Sequence, residues 1–180
     1  DAASSKGVRM INEFFNKETA AKIKDEFGRA KIFLAANTLA HIPDINSVFE
    51  GLNDLLTNDG IVITEDPYLV NLLEKTSYDQ IYDEHVFIFS LTAMENICKK
   101  YNFEVFDIEY LNTAGGSLRY YICRKGKYPK TKELVDCKER EGLLDLYNKE
   151  VYISFKNKCE LSKMNLVSLL SNIKNDDKSI

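Results

Sequence analysis

The sequence is poor in the residues that mark several common classes of protein. Among its 180 residues there is no tryptophan, and there are two histidines and three prolines. Positive charge is not in excess, because 24 basic residues are set against 28 acidic ones and the net charge is −4. Nucleic-acid binding depends on a basic surface, so we expect no nucleic-acid partner. No apolar run approaches the roughly 20 residues that a bilayer-spanning helix needs, so we expect no membrane partner either.

Cysteine spacing also limits the possibilities. The four cysteines, at positions 98, 123, 137 and 159, form no C-x-x-C pair and no zinc pattern. Two histidines without helical spacing give little support to a metal, and we expect no metal site. The opening residues lack the apolar core of a signal peptide. Together these features favour reduced thiols in a cytoplasmic protein, with a structural disulfide as the alternative.

Hydrophobic patterning predicts an α/β fold. A continuous apolar run, a helix with an apolar stripe and a second apolar run follow one another with short connections, which is typical of parallel strands. Two later segments rich in β-formers are joined by a short loop, which favours an antiparallel pair. The predicted strands cover residues 7–11, 31–36, 60–64, 103–110 and 118–123, and the predicted helices cover residues 17–27, 43–57, 67–74 and a segment that begins after Ser90.

The chain after residue 130 lacks proline and has apolar residues at helical spacing, which predicts one or two long helices outside the sheet. The expected apolar stripe consists of Leu143, Leu146, Tyr147, Val151, Phe155 and Cys159.

Three neighbouring side chains form a candidate acid–base cluster. Tyr82, Glu84 and His85 lie within the segment YDQIYDEH at residues 78–85. Histidine titrates near neutral pH, a nearby carboxylate can orient it, and a phenol can donate to a developing oxyanion. The alternative is a loop histidine that pairs with a surface acid.

His41 is the second candidate. It follows an apolar strand and precedes Pro43, which places it at the carboxyl edge of the sheet, where open α/β folds bind ligands. The alternative is a histidine that hydrogen-bonds to a loop carbonyl.

Two further segments could face the same cleft. Gly115, Gly116 and Ser117 form a turn whose N–H groups could cradle an anion, and Arg119 beside it suits phosphate. A plain hairpin turn and an arginine paired with a surface acid are the alternatives. The segment EDPY at residues 65–68 follows the second apolar strand and is expected at the cleft as well.

Taken together, these segments resemble the sugar C-methyltransferases, which use S-adenosylmethionine to methylate a carbon of a nucleotide-linked keto-deoxysugar. The resemblance covers roughly residues 7–175, and its most specific part is the order of YDEH and GGSLR. The matching segments are ANTLAHIPD at 36–44, EDPY at 65–68, YDQIYDEH at 78–85, FSL at 89–91 and GGSLR at 115–119.

The resemblance implies the second half of a Rossmann-like methyltransferase sheet, in which two parallel strands and an antiparallel pair are followed by a helical extension. It implies methyl transfer to a carbon next to a ketone, through base-assisted formation of an enolate. His85 would be the base and Glu84 would tune it, while Tyr82 and His41 would orient the substrate or stabilise the oxyanion. The remaining roles would be cofactor binding by Ala35, Ala36 and Asn37, and substrate binding by Glu65, Tyr68, Gly115, Gly116, Ser117 and Arg119.

Departures from the family pattern suggest that the chain is the middle of a longer enzyme. No G-x-G loop occurs, and Ala114 stands where the family usually has a histidine. We therefore expect a partial methyltransferase domain over residues 1–128 and a helical extension over 129–180 that leads to a further domain. Alone, the chain should be an inactive fragment whose first strand presents an unpaired edge, which favours a homo-oligomer or cover from residues 1–11. A non-catalytic binding module and an O- or N-methyltransferase remain alternatives.

Overall fold

A computed structural model describes residues 4–175. It is an α/β structure in which a four-stranded sheet is flanked by helices and followed by a helical extension, as the sequence predicts. The strands are β1 (Ala30–Ala36), β2 (Leu56–Pro67), β3 (Phe103–Leu111) and β4 (Ser117–Arg124). The helices are α1 (Lys17–Phe27), α2 (Ile45–Leu55), α3 (Leu69–Lys75), α4 (Leu91–Lys100), α5 (Lys132–Leu144) and α6 (Lys149–Asn175), and short 3₁₀ turns cover Ser4–Lys6, Leu39–His41, Tyr78–Gln80 and Thr113–Gly115.

The strands lie in the order β1-β2-β4-β3. β1 and β2 are parallel, and β4 is antiparallel to both of its neighbours. The parallel pair and the antiparallel pair are therefore confirmed, with β4 inserted between β2 and β3. This order brings the carboxyl ends of β1 and β2 to one edge of the sheet, beside the turn that precedes β4.

Local sequence explains where the helices begin. Side chains of Asn16, Asp44, Ser90 and Thr131 each accept a hydrogen bond from the main-chain N–H three residues later, which satisfies a donor that the first helical turn leaves free. α1 ends at Gly28, whose φ of 81° is a positive value that glycine adopts without steric cost.

Two predicted elements, a strand and a turn, were wrong. Residues 7–11, predicted as a strand, do not belong to the described sheet. The turn predicted at residues 58–60 belongs to β2, which begins directly after α2. The register along β1 shifts from Ala30–Leu56 to Ile32–Ile61, so the extra residues of β2 are taken up in an irregular stretch of the strand.

The core lies between the sheet and helices α2, α4 and α5. Phe49 and Leu52 of α2, Met94 of α4 and Leu134 of α5 are almost fully buried there. The apolar stripe expected from residue 143 onward was wrong at two positions, because Leu143 is 90% exposed and Tyr147 is 84% exposed. A turn between α5 and α6, in which Asp145 has a φ of 52°, interrupts the helical periodicity on which that stripe depended.

β1 is the edge strand of the described sheet. Its Ile32 and Leu34 are 62% and 70% exposed, and residues 7–16 form no strand along it. The expected oligomer through this edge stays a prediction. No helix within residues 4–175 is long and apolar enough to cross a membrane.

Candidate active site

The fold brings the two histidines into contact. His41 ends the 3₁₀ turn that follows β1, and His85 lies in the loop between the turn Tyr78–Gln80 and α4. Their ring centroids are 4.8 Å apart, with 44° between the ring planes. Residues that are 44 positions apart in the chain therefore form one imidazole pair at the carboxyl edge of β1 and β2.

Hydrogen bonds fix the tautomer of His85. Its Nδ1 lies 2.7 Å from the main-chain oxygen of Gln80. A carbonyl oxygen can only accept, so Nδ1 carries the proton and donates it. Nε2 then carries the lone pair and accepts from the Tyr82 hydroxyl at 3.0 Å, while the two rings lie 4.1 Å apart. Nε2 is consequently the basic atom of this histidine.

His41 is held in the same way. Its Nδ1 donates to the main-chain oxygen of Glu84 over 2.8 Å, which leaves Nε2 as the basic atom. Both histidines thus hydrogen-bond loop carbonyls, and in doing so they present two basic nitrogens at one place. Glu84 contributes its main chain to this arrangement and contacts His41, whereas the sequence suggested a carboxylate that acts on His85.

Asp66 is fully buried near the end of β2, and no feature of the sequence distinguished it from its neighbours in the segment EDPY. Its Oδ1 accepts from the N–H of Ala40 at 3.0 Å, and its Oδ2 accepts from the Thr64 hydroxyl at 2.9 Å. Burial raises the pKa of the Asp66 carboxyl from 3.8 to about 6, although these two hydrogen bonds and the nearby His41 and His85 partly oppose the rise. A buried carboxyl with a raised pKa beside two histidines is characteristic of functional sites.

Of the three residues expected to bind the cofactor, Asn37 lines a cavity, and Ala35 and Ala36 precede it at the end of β1. Ala35 is nearly buried, Ala36 is exposed, and Asn37 turns the chain away from β1 with a φ of 49°. The N–H of Asn37 donates to the main-chain oxygen of Glu65 at 2.7 Å, which fixes this turn to the end of β2. The cavity has a volume of about 820 Å³ and is lined in part by Phe14, Phe15, Asn37, Thr38, His41 and Ser47.

The cavity fits a nucleoside-sized cofactor by its size and lining. Its volume lies within the range of small-molecule sites, and it combines aromatic rings with a few polar groups. Because His41 lines it, a molecule bound there would reach the imidazole pair. Among residues 4–175, no three His, Cys, Asp or Glu side chains form a group that could hold a metal ion.

The predicted phosphate-binding arginine is already paired. Arg119 lies opposite Glu65 in the β2–β4 register and donates to its Oε2 at 3.0 Å. It also donates to Glu109 on β3 at 2.7 Å. Two carboxylates thus surround one guanidinium, which disfavours a phosphate here and matches the alternative in which the arginine pairs with acids.

Two residues expected to contact the substrate lie in the core instead. Tyr68 is 1% exposed and its hydroxyl lies 3.4 Å from Sγ of Cys137, so its side chain points away from the cleft. Ser117 is fully buried and donates to the Thr113 carbonyl. Neither side chain faces the cleft in this structure, and their assignment to substrate binding stays a prediction.

The glycine pair beside Ser117 has a packing role. Gly115 and Gly116 have φ angles of 74° and 129°. A Cβ on Gly116 would lie 2.2 Å from Nδ2 of Asn71 on α3, so only glycine fits there. The N–H of Gly116 donates to the Thr113 carbonyl, which makes this segment a tight turn packed on α3. Ala114 beside it is exposed and has a φ of 49°.

Residues 3–108 match a family described as the methyltransferase domain. The chain belongs to the S-adenosylmethionine-dependent methyltransferase family. Residues 112–180 match a second family, the C-methyltransferase C-terminal domain. The two matches divide the chain near residue 110, whereas the helical extension begins at Lys132, so the predicted division at residue 128 stays a prediction.

Among curated proteins, the chain is similar to the C-methyltransferase NovU of Streptomyces niveus, with 34% identity over 116 residues. This alignment covers 64% of the chain and 28% of that protein. The chain thus spans little more than a quarter of the length of this relative.

Two solved structures are similar at low identity. A SAM-dependent methyltransferase from Anabaena variabilis has 18% identity and a TM-score of 0.46, with 66% of this chain and 58% of that chain covered. The PH0226 protein from Pyrococcus horikoshii has 16% identity and a TM-score of 0.45, with 69% and 64% covered.

Proposed function

We propose that the protein containing this chain transfers a methyl group from S-adenosylmethionine to a carbon next to a ketone in a nucleotide-linked keto-deoxysugar. Membership of the methyltransferase family and similarity to a C-methyltransferase support the reaction class. The observation that carries the proposal is the pair formed by His41 and His85, because methylation of carbon requires removal of a carbon-bound proton and methylation of a good oxygen nucleophile does not.

His85 is the base in this proposal. The substrate C–H bond breaks, its electron pair forms the C=C bond of an enolate, and the proton moves to Nε2 of His85. The imidazolium that results is stabilised at Nδ1 by the Gln80 carbonyl, which already accepts a hydrogen bond from that atom. Because Tyr82 occupies Nε2 in the described arrangement, its hydroxyl must first turn toward the substrate.

Tyr82 and His41 handle the oxygen of the enolate. The Tyr82 side chain is 45% exposed and can rotate, so that its hydroxyl donates to the developing oxyanion. His41 lies on the cavity side of the pair and orients the substrate. Glu84 acts through the carbonyl that fixes the His41 ring.

Ala35, Ala36 and Asn37 would hold the methionine end of the cofactor. Ala35 and Ala36 have small side chains and lie at the end of β1, and Asn37, which follows them, lines the cavity. When bound, S-adenosylmethionine would supply an electrophilic methyl group to the activated carbon: its methyl–sulfur bond would break as the C–C bond forms, S-adenosylhomocysteine would leave, and the ketone would re-form.

The test is a comparison of two matched substitutions in the full-length protein. His85→Asn should lower kcat by about 10²–10⁴-fold, the usual worth of a positioned acid–base group, and should leave cofactor affinity by calorimetry unchanged within about twofold. His41→Asn removes the neighbouring imidazole and should lower kcat less. Turnover of His85→Asn within a few-fold of the wild type would exclude His85 as the base, and a greater loss in His41→Asn would exchange the two roles.

A further inference from the structure

We propose that Asp66 is a positioning residue for the imidazole pair: its buried carboxylate holds the main chain at Ala40, and Ala40 in turn fixes both His41 and the loop that carries His85. This role presupposes the proposed function and deepens it, since it assigns part of the catalytic geometry to a side chain beneath the site.

The first link joins Asp66 to the turn Leu39–His41. The N–H of Ala40 donates to Oδ1 of Asp66 at 3.0 Å, and both residues are fully buried. Thr64 donates to the other carboxylate oxygen and restrains the rotation of the side chain. The residue directly before His41 is therefore attached to the end of β2 by a charge-assisted hydrogen bond in a dry environment.

The second link joins the same turn to the other histidine. The carbonyl oxygen of Ala40 accepts from the N–H groups of Val86 at 2.9 Å and Phe87 at 3.1 Å, the two residues that follow His85. His41 closes the arrangement, because its Nδ1 donates to the carbonyl of Glu84, directly before His85. A displacement of Ala40 would thus move both rings at once.

The charge of Asp66 also acts on the imidazoles of His41 and His85. The titratable side chains that face it are His41 from the 3₁₀ turn, His85 from the loop and Tyr120 from β4. Glu65, the adjacent acid, lies on the opposite face of β2 and pairs with Arg119. The negative charge therefore makes a secondary contribution to proton transfer at the imidazole pair, smaller than the positioning supplied by the hydrogen bond to Ala40.

The experiment compares three variants of the full-length protein. Asp66→Asn keeps an oxygen that can accept from Ala40 but loses the charge, whereas Asp66→Ala loses both. Tyr120→Phe is the matched core control, because the buried Tyr120 hydroxyl has no hydrogen-bond partner within residues 4–175. The measurements are kcat and KM for both substrates, together with ¹⁵N NMR of the histidine rings, assigned with His41→Asn and His85→Asn.

If Asp66 acts by positioning the imidazole pair, Asp66→Asn and Tyr120→Phe should keep kcat within about fivefold of the wild type. Both variants should also keep the Nδ1–H tautomers of His41 and His85. Asp66→Ala should lower kcat by about 100-fold with cofactor KM changed less than about twofold, since a displacement on the order of 1 Å can cost that much. In this variant the Nδ1–H tautomer of His41 should give way to a mixture. If Asp66→Ala does not fold, Asp66→Ser, which is too short to reach Ala40, takes its place.

Two results would overturn the role of Asp66. One is a wild-type kcat and unchanged tautomers in Asp66→Ala, and the other is an Asp66→Asn variant as defective as Asp66→Ala, which would show that charge alone matters. The NMR measurement also separates this proposal from the proposed function. If the wild type does not methylate a keto-sugar but Asp66→Ala still loses the His41 tautomer, then the proposed reaction fails and the positioning stands.

Discussion

Replacement of Asp66 by asparagine should change how the stability of the protein depends on pH. Burial raises the pKa of this carboxyl from 3.8 to about 6. An acid whose pKa is higher in the folded state favours folding while it is protonated, and that contribution is lost as the pH rises through the folded-state pKa. Each pKa unit corresponds to about 1.4 kcal/mol, so the loss between about pH 4 and pH 7 amounts to about 3 kcal/mol.

The assay is urea unfolding of the wild type and of Asp66→Asn, side by side, from pH 4 to pH 8. The free energy of unfolding of the variant relative to the wild type should increase with pH by up to about 3 kcal/mol, with the steepest change between the unfolded-state pKa of 3.8 and the folded-state pKa of about 6 and little change above pH 7. Asp25→Asn is the control, because Asp25 is exposed on α1 and its loss changes the net charge equally. A difference between Asp66→Asn and the wild type that is constant across this range, or that falls with pH, would refute the raised pKa of Asp66.

Two further substitutions test the remaining assignments. Glu141→Ala should lower the free energy of unfolding by about 3–5 kcal/mol, because the buried carboxylate of Glu141 accepts hydrogen bonds from Leu91 and Thr92 at the start of α4. The control is Glu139→Ala, on the exposed side of α5, which should cost less than about 1 kcal/mol in a parallel urea titration. Arg119→Ala should change KM for the nucleotide sugar by less than about threefold in steady-state kinetics, because two carboxylates already pair with the guanidinium; a rise of tenfold or more would return Arg119 to the substrate site.

The sheet and the position of His41 could be predicted because they depend on local patterns. Continuous apolar runs indicated the parallel strands, and the end of an apolar run placed His41 at their carboxyl edge. The approach of His85 could not be derived in the same way, because it lies in a loop whose path is set by hydrogen bonds from Val86 and Phe87 to Ala40. The chemistry of the neighbouring residues Tyr82, Glu84 and His85, rather than any periodicity, indicated that this loop could be functional.

The residues at the end of β2 show that strand pairing, and not sequence alone, decides which side chain faces the site. Neighbouring residues of a strand point to opposite faces, so Glu65 and Asp66 could not both face the same cleft. The sequence favoured Glu65, yet Glu65 pairs across the sheet with Arg119, while Asp66 accepts a hydrogen bond from Ala40, the residue directly before His41. Which of the two faces the site depends on the pairing of β2 with β4, and that pairing is a tertiary property.

The most direct test of base-assisted carbon methylation is solvent exchange of the substrate proton. The full-length protein, a nucleotide-linked keto-deoxysugar and S-adenosylhomocysteine, the demethylated form of the cofactor, are incubated in D₂O, and deuterium at the carbon next to the ketone is followed by NMR. We predict that this position exchanges and that His85→Asn slows the exchange by about 100-fold or more. Absence of exchange in the wild type, together with methylation of a hydroxyl oxygen in the complete reaction, would contradict the account.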